Sequence, residues 1–165
     1  MKKLLVMAAV ATLAICAAAA DTVKDGVVSV KPGRWLWKQE TSVLGIGMKE
    51  ENVECLIAEE ARITLSKLAS DLEKGCSVDN VRPIQGGYLF KLQCTGKTKG
   101  NADATIIHSA TTMKINAKGS ATVGFIPAGF SMKSDAVYQG DCSAAEIAKA
   151  KERYLRENSG AAAPQ

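Results

Sequence analysis

The cysteines constrain this chain more than any other feature. The sequence has five, and one of them, Cys16, lies inside an N-terminal hydrophobic segment that follows the basic pair Lys2 and Lys3. A basic start, an apolar run and a stretch of small residues are typical of a secretory signal peptide. Cleavage after Ala20 leaves four cysteines, an even number typical of an exported domain with two disulfides.

The leader allows two interpretations. We expect residues 1–20 to be a signal peptide and the mature protein to be periplasmic, with no transmembrane segment, because the apolar run is shorter than the ~20 residues that span a bilayer. The alternative is a lipoprotein anchored at Cys16, although Ile15 is larger than the residue usual before an acylated cysteine. Residues 21–142 would form a disulfide-stapled β domain, and residues 143–165 a C-terminal helix and disordered tail.

Alternating apolar and polar residues after the leader predict half-buried antiparallel strands. These strands are expected at Arg34–Val43, Lys49–Leu56, Cys76–Arg82, Tyr88–Cys94, Asn101–Ser109, from Thr112 onward, and at Phe130–Gln139. After Thr112, Gly119 is either a bend in one long strand or the turn of a hairpin. The pattern predicts a mainly β fold, a strongly bent antiparallel meander of about seven strands with one packed helix and a peripheral C-terminal helix.

Two segments have helical spacing instead. Between Ala58 and Lys74, apolar residues recur every three or four positions, Glu59 and Glu60 would occupy the first turn, and Gly75 stands where a helix C-terminal glycine is common.

The second helix is predicted from Ser143 to about Asn158. Ser143 and Glu146 have the spacing of a capping box. The apolar stripe of this helix is narrow, and its charged residues are interpreted as a solvated face: Lys149, Lys151, Glu152, Arg153, Arg156 and Glu157.

The disulfide pairing follows from strand parity. Pairing Arg82 with Tyr88 in a hairpin places Cys76 opposite Cys94, with the apolar side chains of both strands on one face. By elimination Cys55 would bond Cys142. Four cysteines allow three connectivities, and parity favours this one.

These segments resemble a family known as domain of unknown function 3617, exported proteins of Gram-negative bacteria. The resemblance rests on Lys31–Trp35, on Cys55-Leu56 before an acidic helix start, on Cys76 and Cys94, and on Gly140–Cys142. The chain departs from the family in Trp37, in a long helix after Cys55 and in the segment after Cys142. The resemblance implies export and a β-rich fold, and it implies no activity.

No catalytic constellation is visible, so we expect a protein that is not an enzyme. The only histidine is His108, which strand parity places on a half-buried face, and a bond to a neighbouring carbonyl is the expected role. Glu50-Glu51 and Glu59-Glu60 are adjacent in sequence and are interpreted as surface charge. Asn101 and Asp103 could offer oxygens to calcium, but two ligands without an acidic cluster are a weak signal, so neither metal nor cofactor is expected.

The formal net charge of +4 is small and dispersed, so a nucleic-acid partner is not expected. The large apolar residues on strand faces are either core or the wall of a sheet concavity that binds a ligand: Trp35, Trp37, Phe90, Met113, Met132 and Tyr138. The favoured function is non-catalytic binding of a small apolar or lipidic ligand in the envelope. The alternative is a protein-interaction module that binds another envelope protein.

Overall fold

The computed structural model describes residues 23–72, 74–97, 99–123 and 126–159. The predicted signal peptide, Cys16 and the tail beyond Ser159 lie outside these ranges. Within them, the strands and helices are β1 (Val27–Ser29), β2 (Gly33–Val43), β3 (Ile46–Leu56), β4 (Arg62–Thr64), α1 (Leu65–Leu72), β5 (Cys76–Ile84), β6 (Gly87–Thr95), β7 (Lys99–His108), β8 (Thr112–Val123), β9 (Ile126–Gly140) and α2 (Ala144–Asn158).

Seven strands form one antiparallel sheet in the order β3-β2-β9-β8-β7-β6-β5, and β1 pairs with β4 in a separate two-stranded sheet. Trp35 of β2 and Val81 of β5 belong to one buried cluster although their strands lie near opposite edges. The sheet therefore curves around its core, and the predicted mainly β fold with a bent seven-strand meander is confirmed.

The cover over the concave face of this sheet consists of β1, β4 and α1. Val28 and Leu65 of this cover are almost completely buried, and the hydroxyl of Tyr88 donates to the carbonyl of Val27 at 3.4 Å. Burial of apolar side chains between this cover and the sheet is the main source of stability of the fold.

The helix predicted over Ala58–Lys74 is wrong in its first half. A turn occupies the acidic segment, β4 follows, and α1 begins only at Leu65. Its N-terminus is capped by Thr64 Oγ1, which accepts from the amide of Lys67 at 3.1 Å, and by Asp25, which accepts from the amide of Ser66 at 3.2 Å. β-branched Ile63 and Thr64 pair with β1 instead of extending the helix.

The predicted hairpin register is correct only near the disulfide. Cys76 pairs with Cys94, but a bulge between Asp79 and Arg82 shifts the pairing, and Tyr88 lies opposite Pro83 instead of Arg82. Asn80 sits in the bulge with φ +52°, a conformation that asparagine tolerates better than most residues. The bulge turns Val81 into the core and leaves Arg82 exposed.

Both predicted disulfides are present. Cys55 and Cys142 have Cα atoms 5.9 Å apart, and Cys76 and Cys94 have Cα atoms 3.9 Å apart. The open question about Gly119 is also resolved, because β8 is one continuous strand through it.

The C-terminal helix begins with the predicted capping box. The amide of Ser143 donates to Glu146 Oε2 at 2.7 Å, and the amide of Glu146 donates to Ser143 Oγ at 3.3 Å. Ala150 is buried against Cys55 and Ile57. The helix thus packs on the end of β3, beside the longer-range disulfide.

Within the described ranges, no helix is both long enough and apolar enough to cross a membrane.

Candidate functional site

A cavity of about 560 Å³ lies between the concave face of the sheet, the cover and α2. This volume falls within the ~300–1,000 Å³ usual for small-molecule sites. A smaller depression of about 320 Å³ lies near Cys142 and is lined in part by Pro32 and Ile147. The larger cavity is the candidate site, because it reaches from the surface to the ring of Trp37.

The sheet supplies an apolar floor to this cavity. Its side chains come from four strands: Trp37, Leu56, Ile106, Met113 and Ile115. They meet because every second residue of each strand faces the concave side of the sheet. Trp37 and Met113, for example, both pair with Ala136 of β9, which lies between their strands.

The cover supplies one wall. Val28 and Val30 approach from the β1 segment, Ile63 from β4 and Leu68 from α1. The other wall is the last part of α2, where Arg153 and Tyr154 line the cavity. An apolar interior with polar groups at its mouth suits an amphipathic ligand.

The six residues proposed from sequence as a ligand wall all join one hydrophobic cluster. Trp35, Phe90 and Met113 are buried in it, and Trp37, Met132 and Tyr138 pack against it while partly exposed. Only Trp37 and Met113 line the cavity. The structure places the other four away from its walls.

The two tryptophans are held in different ways. Trp35 is fully buried, its Nε1 donates to the carbonyl of Lys31 at 3.0 Å, and its ring packs edge-on against Tyr138 with centroids 6.0 Å apart. The Nε1 of Trp37 is buried and has no hydrogen-bond partner among the described residues. Trp35 is therefore a structural residue, and Trp37 is positioned by the packing of its ring.

An ion-pair network stands at the mouth of the cavity. Arg153 Nη1 contacts Glu54 Oε1, and Arg153 Nη2 donates to Glu60 Oε1 at 2.8 Å and to the carbonyl of Cys55 at 3.3 Å. The amide of Ile57 donates to the second oxygen of Glu60 at 3.1 Å. The prediction of a solvated face is thus wrong for Arg153, and Glu60 is not simple surface charge.

Burial raises the pKa of the Glu54 carboxyl above its ordinary value. The charge of Arg153 opposes this rise, and the neighbouring carboxylates of Glu60 and Glu157 add to it. Around the mouth, the charged residues are Glu54, Glu59, Glu60, Asp71 and Glu157 against Arg62, Lys67 and Arg153. The opening is therefore acidic.

The participation of α2 and β4 in this site was not predicted from the sequence. One signal was available: Arg153 falls three positions after Ala150 and beside Tyr154, so it shares the apolar stripe by which the helix docks. Its acidic partners are 99 and 93 positions away, and no local pattern identifies them.

The remaining chemistry-bearing residues are engaged elsewhere. His108 is partly buried and its Nδ1 lies 3.2 Å from the carbonyl oxygen of Ser29, as parity predicted. Among the residues that the structure describes, no three His, Cys, Asp or Glu side chains are grouped to hold a metal ion. The arrangement at the cavity supports binding through apolar contact and ion pairing.

The chain matches the model of a protein family. No curated protein matches the chain, and no solved structure matches it. The model of a family described as a protein of unknown function, DUF3617, matches residues 30–142, from three residues before β2 through the second cysteine of the Cys55 to Cys142 bridge. The match covers well over half of the chain, and the protein belongs to this DUF3617 family.

Proposed function

We propose that this protein is an exported, non-catalytic binding protein that holds a small apolar or lipidic ligand in the cavity beside Trp37. The observation that carries the proposal is the cavity itself, about 560 Å³ with an apolar floor and a charged mouth. Burying an acyl chain there would remove apolar surface from water, at about 25 cal/mol for each Å².

The mouth favours one type of headgroup over another. Five carboxylates surround it against three cations, and two of the cations pair with three of the carboxylates: Lys67 with Asp71, and Arg153 with Glu54 and Glu60. Glu59 and Glu157 then stand against Arg62. An amine-bearing headgroup is attracted by this charge and a neutral one is not repelled, whereas a free carboxylate is repelled. The expected ligand is an acyl chain with a hydroxylated or amine-bearing head.

Export into the periplasm through a cleaved signal peptide is part of the proposal. The two disulfides are consistent with an extracellular or periplasmic location. The leader at residues 1–20 has the composition of a signal peptide. Intact mass of the exported protein tests this: a start near Asp21 supports it, and a diacylated Cys16 terminus replaces it with the lipoprotein alternative.

Ligand binding is tested with monopalmitoylglycerol and palmitate added to the mature protein. We expect the neutral lipid to shift the tryptophan emission and raise the melting temperature, and palmitate to act more weakly. Ile115→Phe fills the cavity and should abolish both effects. Leu36→Phe makes the same kind of change on the outer face, where Leu36 pairs with Val53 and Val137, and should bind like wild type.

The outcomes separate the two hypotheses made from the sequence. Loss of the shift in Ile115→Phe but not in Leu36→Phe locates the ligand in the cavity. If saturating monopalmitoylglycerol and palmitate both leave emission and melting temperature unchanged, ligand binding is contradicted and the protein-interaction module becomes the better hypothesis.

A further inference from the structure

One end of the sheet carries no charge on two neighbouring hairpins. The sequence has no charged residue from Thr41 to Met48 or from Gly119 to Met132. These segments lie side by side, because Val43 pairs with both Ile46 and Phe130 and the amide of Leu44 donates to the carbonyl of Gly129 at 3.2 Å. We call the described residues of these two segments the apolar tip.

The apolar tip leaves large side chains in solvent. Ile46 is 70% exposed, Leu44 65% and Ile126 65%, and Met48 is exposed beside them. Single exposed apolar residues are normal on a protein surface, but a group of them at one end marks a surface that meets an apolar partner. None of Leu44, Ile46, Met48 and Ile126 belongs to the hydrophobic cluster that contains Val28 and Leu65 of the cover.

Leu44 is unfavourable in its own turn. It has φ +53° and Gly45 has φ +82°, and they join β2 to β3 as a two-residue loop. This geometry belongs to a type I′ turn, in which asparagine or glycine is preferred at the first position and leucine is strained. The turn thus holds a strained leucine in solvent, and nothing in the described fold requires it.

Basic residues follow directly behind the apolar tip. Lys49 and Lys133 are the first charges after their segments, Lys118 precedes the second segment, and Lys99 pairs with Thr122 on the neighbouring strand. Two carboxylates lie opposite lysines of this group in register, Glu40, which pairs with Lys49 at 2.7 Å, and Asp103, which faces Lys118. All four lysines are exposed.

We propose that the apolar tip inserts shallowly into the surface of an anionic phospholipid bilayer. Leu44, Ile46 and Ile126 enter the boundary of the acyl chains, and the lysines behind them contact lipid phosphates. Apolar burial combined with basic charge at headgroup depth is the usual basis of peripheral membrane binding. The surface is distinct from the ligand cavity, so the proposal stands whether or not the cavity binds a lipid.

The test is co-sedimentation of the mature protein with vesicles of phosphatidylethanolamine and phosphatidylglycerol. Leu44→Asn places the preferred residue in the turn and should keep or raise the melting temperature, while we expect it to weaken partitioning. The double variant with Ile126→Ser should reduce partitioning by about tenfold or more, since two buried side chains are lost. Val53→Ser, 49% exposed on the outer face, is the control and should partition like wild type.

The contact of the lysines with lipid phosphates is tested by varying the salt concentration and the lipid composition. Binding should fall with added salt and be weaker on vesicles of phosphatidylcholine alone. The proposal is overturned if wild type does not bind the anionic vesicles, or if the tip variants and the control bind equally. It is also overturned if sedimentation shows a wild-type dimer that Leu44→Asn dissociates without any vesicle binding, because the partner is then a second copy of the chain.

Discussion

Arg153 donates from Nη2 to Glu60 Oε1 at 2.8 Å, across 93 positions of the chain. The same guanidinium contacts Glu54 and the carbonyl of Cys55, so α2 is fastened both to the edge of the sheet and to the turn before β4. Charge-assisted hydrogen bonds of this kind are stronger than neutral ones. The segment after the last cysteine is therefore one wall of the candidate site.

Replacing Arg153 by alanine should lower the free energy of unfolding by about 2 kcal/mol. The loss leaves the partly buried carboxylates of Glu54 and Glu60 without their common partner, but some exposure keeps the cost below the ~3–5 kcal/mol of a fully buried pair. Urea unfolding measures it. Lys149→Ala, an exposed residue of the same helix, should change stability little, and equal effects of the two variants would contradict a structural role for the network.

Glu54 should make stability fall as pH rises from acid towards neutral. Burial raises the pKa of its carboxyl, so the folded protein keeps the proton to a higher pH than the unfolded chain. The stability contributed by this group is present below about pH 4.5, the ordinary pKa of a glutamate carboxyl. It is lost as the pH rises through the pKa of Glu54 in the folded protein. The unfolding free energy of Glu54→Gln relative to wild type should therefore increase over that range.

Glu40→Gln is the control of opposite sign for this pH dependence. The hydrogen bond from Lys49 lowers the pKa of Glu40. The contribution of Glu40 to folding stability is therefore present above the ordinary pKa of a glutamate and is lost as the pH falls. Relative to wild type, this variant should become less stable as pH rises through about 4.5. Thermal melts of both variants across a pH series measure the two trends, and parallel trends would contradict the assignment.

Removing the Cys55 to Cys142 bridge should cost more than removing Cys76 to Cys94. The closed loops span 87 and 18 positions, and the chain-entropy relation gives about 4.5 and about 3 kcal/mol. Paired cysteine-to-serine variants unfolded in urea give the comparison. A larger loss of stability on removing the Cys76 to Cys94 bridge, at the edge of the sheet, would contradict this order.

Gly119→Ala should be severely destabilising, by about 3 kcal/mol or more, since overpacking against a rigid backbone leaves little room for adjustment. A Cβ at this position would lie 1.9 Å from the carbonyl oxygen of Asn101 and 2.6 Å from the Cα of Ala102. Gly47→Ala is the matched strand control, because a Cβ there meets nothing within 4 Å. A melting temperature of Gly119→Ala close to that of Gly47→Ala would contradict the close approach.

Several features of the site could be predicted from the sequence. Trp37 and Met113 fall on the correct parity of their strands, and both line the cavity. Trp35 and Phe90 lie on the same face of the sheet but are buried in the core. The alternation of residues along a strand predicts which face a side chain is on, but not whether it is buried there. Whether a residue on that face is covered depends on where β4 and α1 pack.

Two errors show the limit of local patterns. The spacing of Ala61, Leu65 and Leu68 is helical, yet Arg62–Thr64 is a strand because its backbone pairs with β1. The register of β5 follows alternation only as far as Asp79, since Asn80 introduces a bulge that no alternation reveals.

The sequence by itself determined the strand pattern, the capped start of α2 and the pairing of Cys76 with Cys94, because each depends on residues within one element or one hairpin. Only the tertiary structure decided the cavity and the network of Arg153. Those features require side chains that lie far apart in the chain to meet, and their positions depend on how strongly the sheet curves and on where the cover and α2 pack against it.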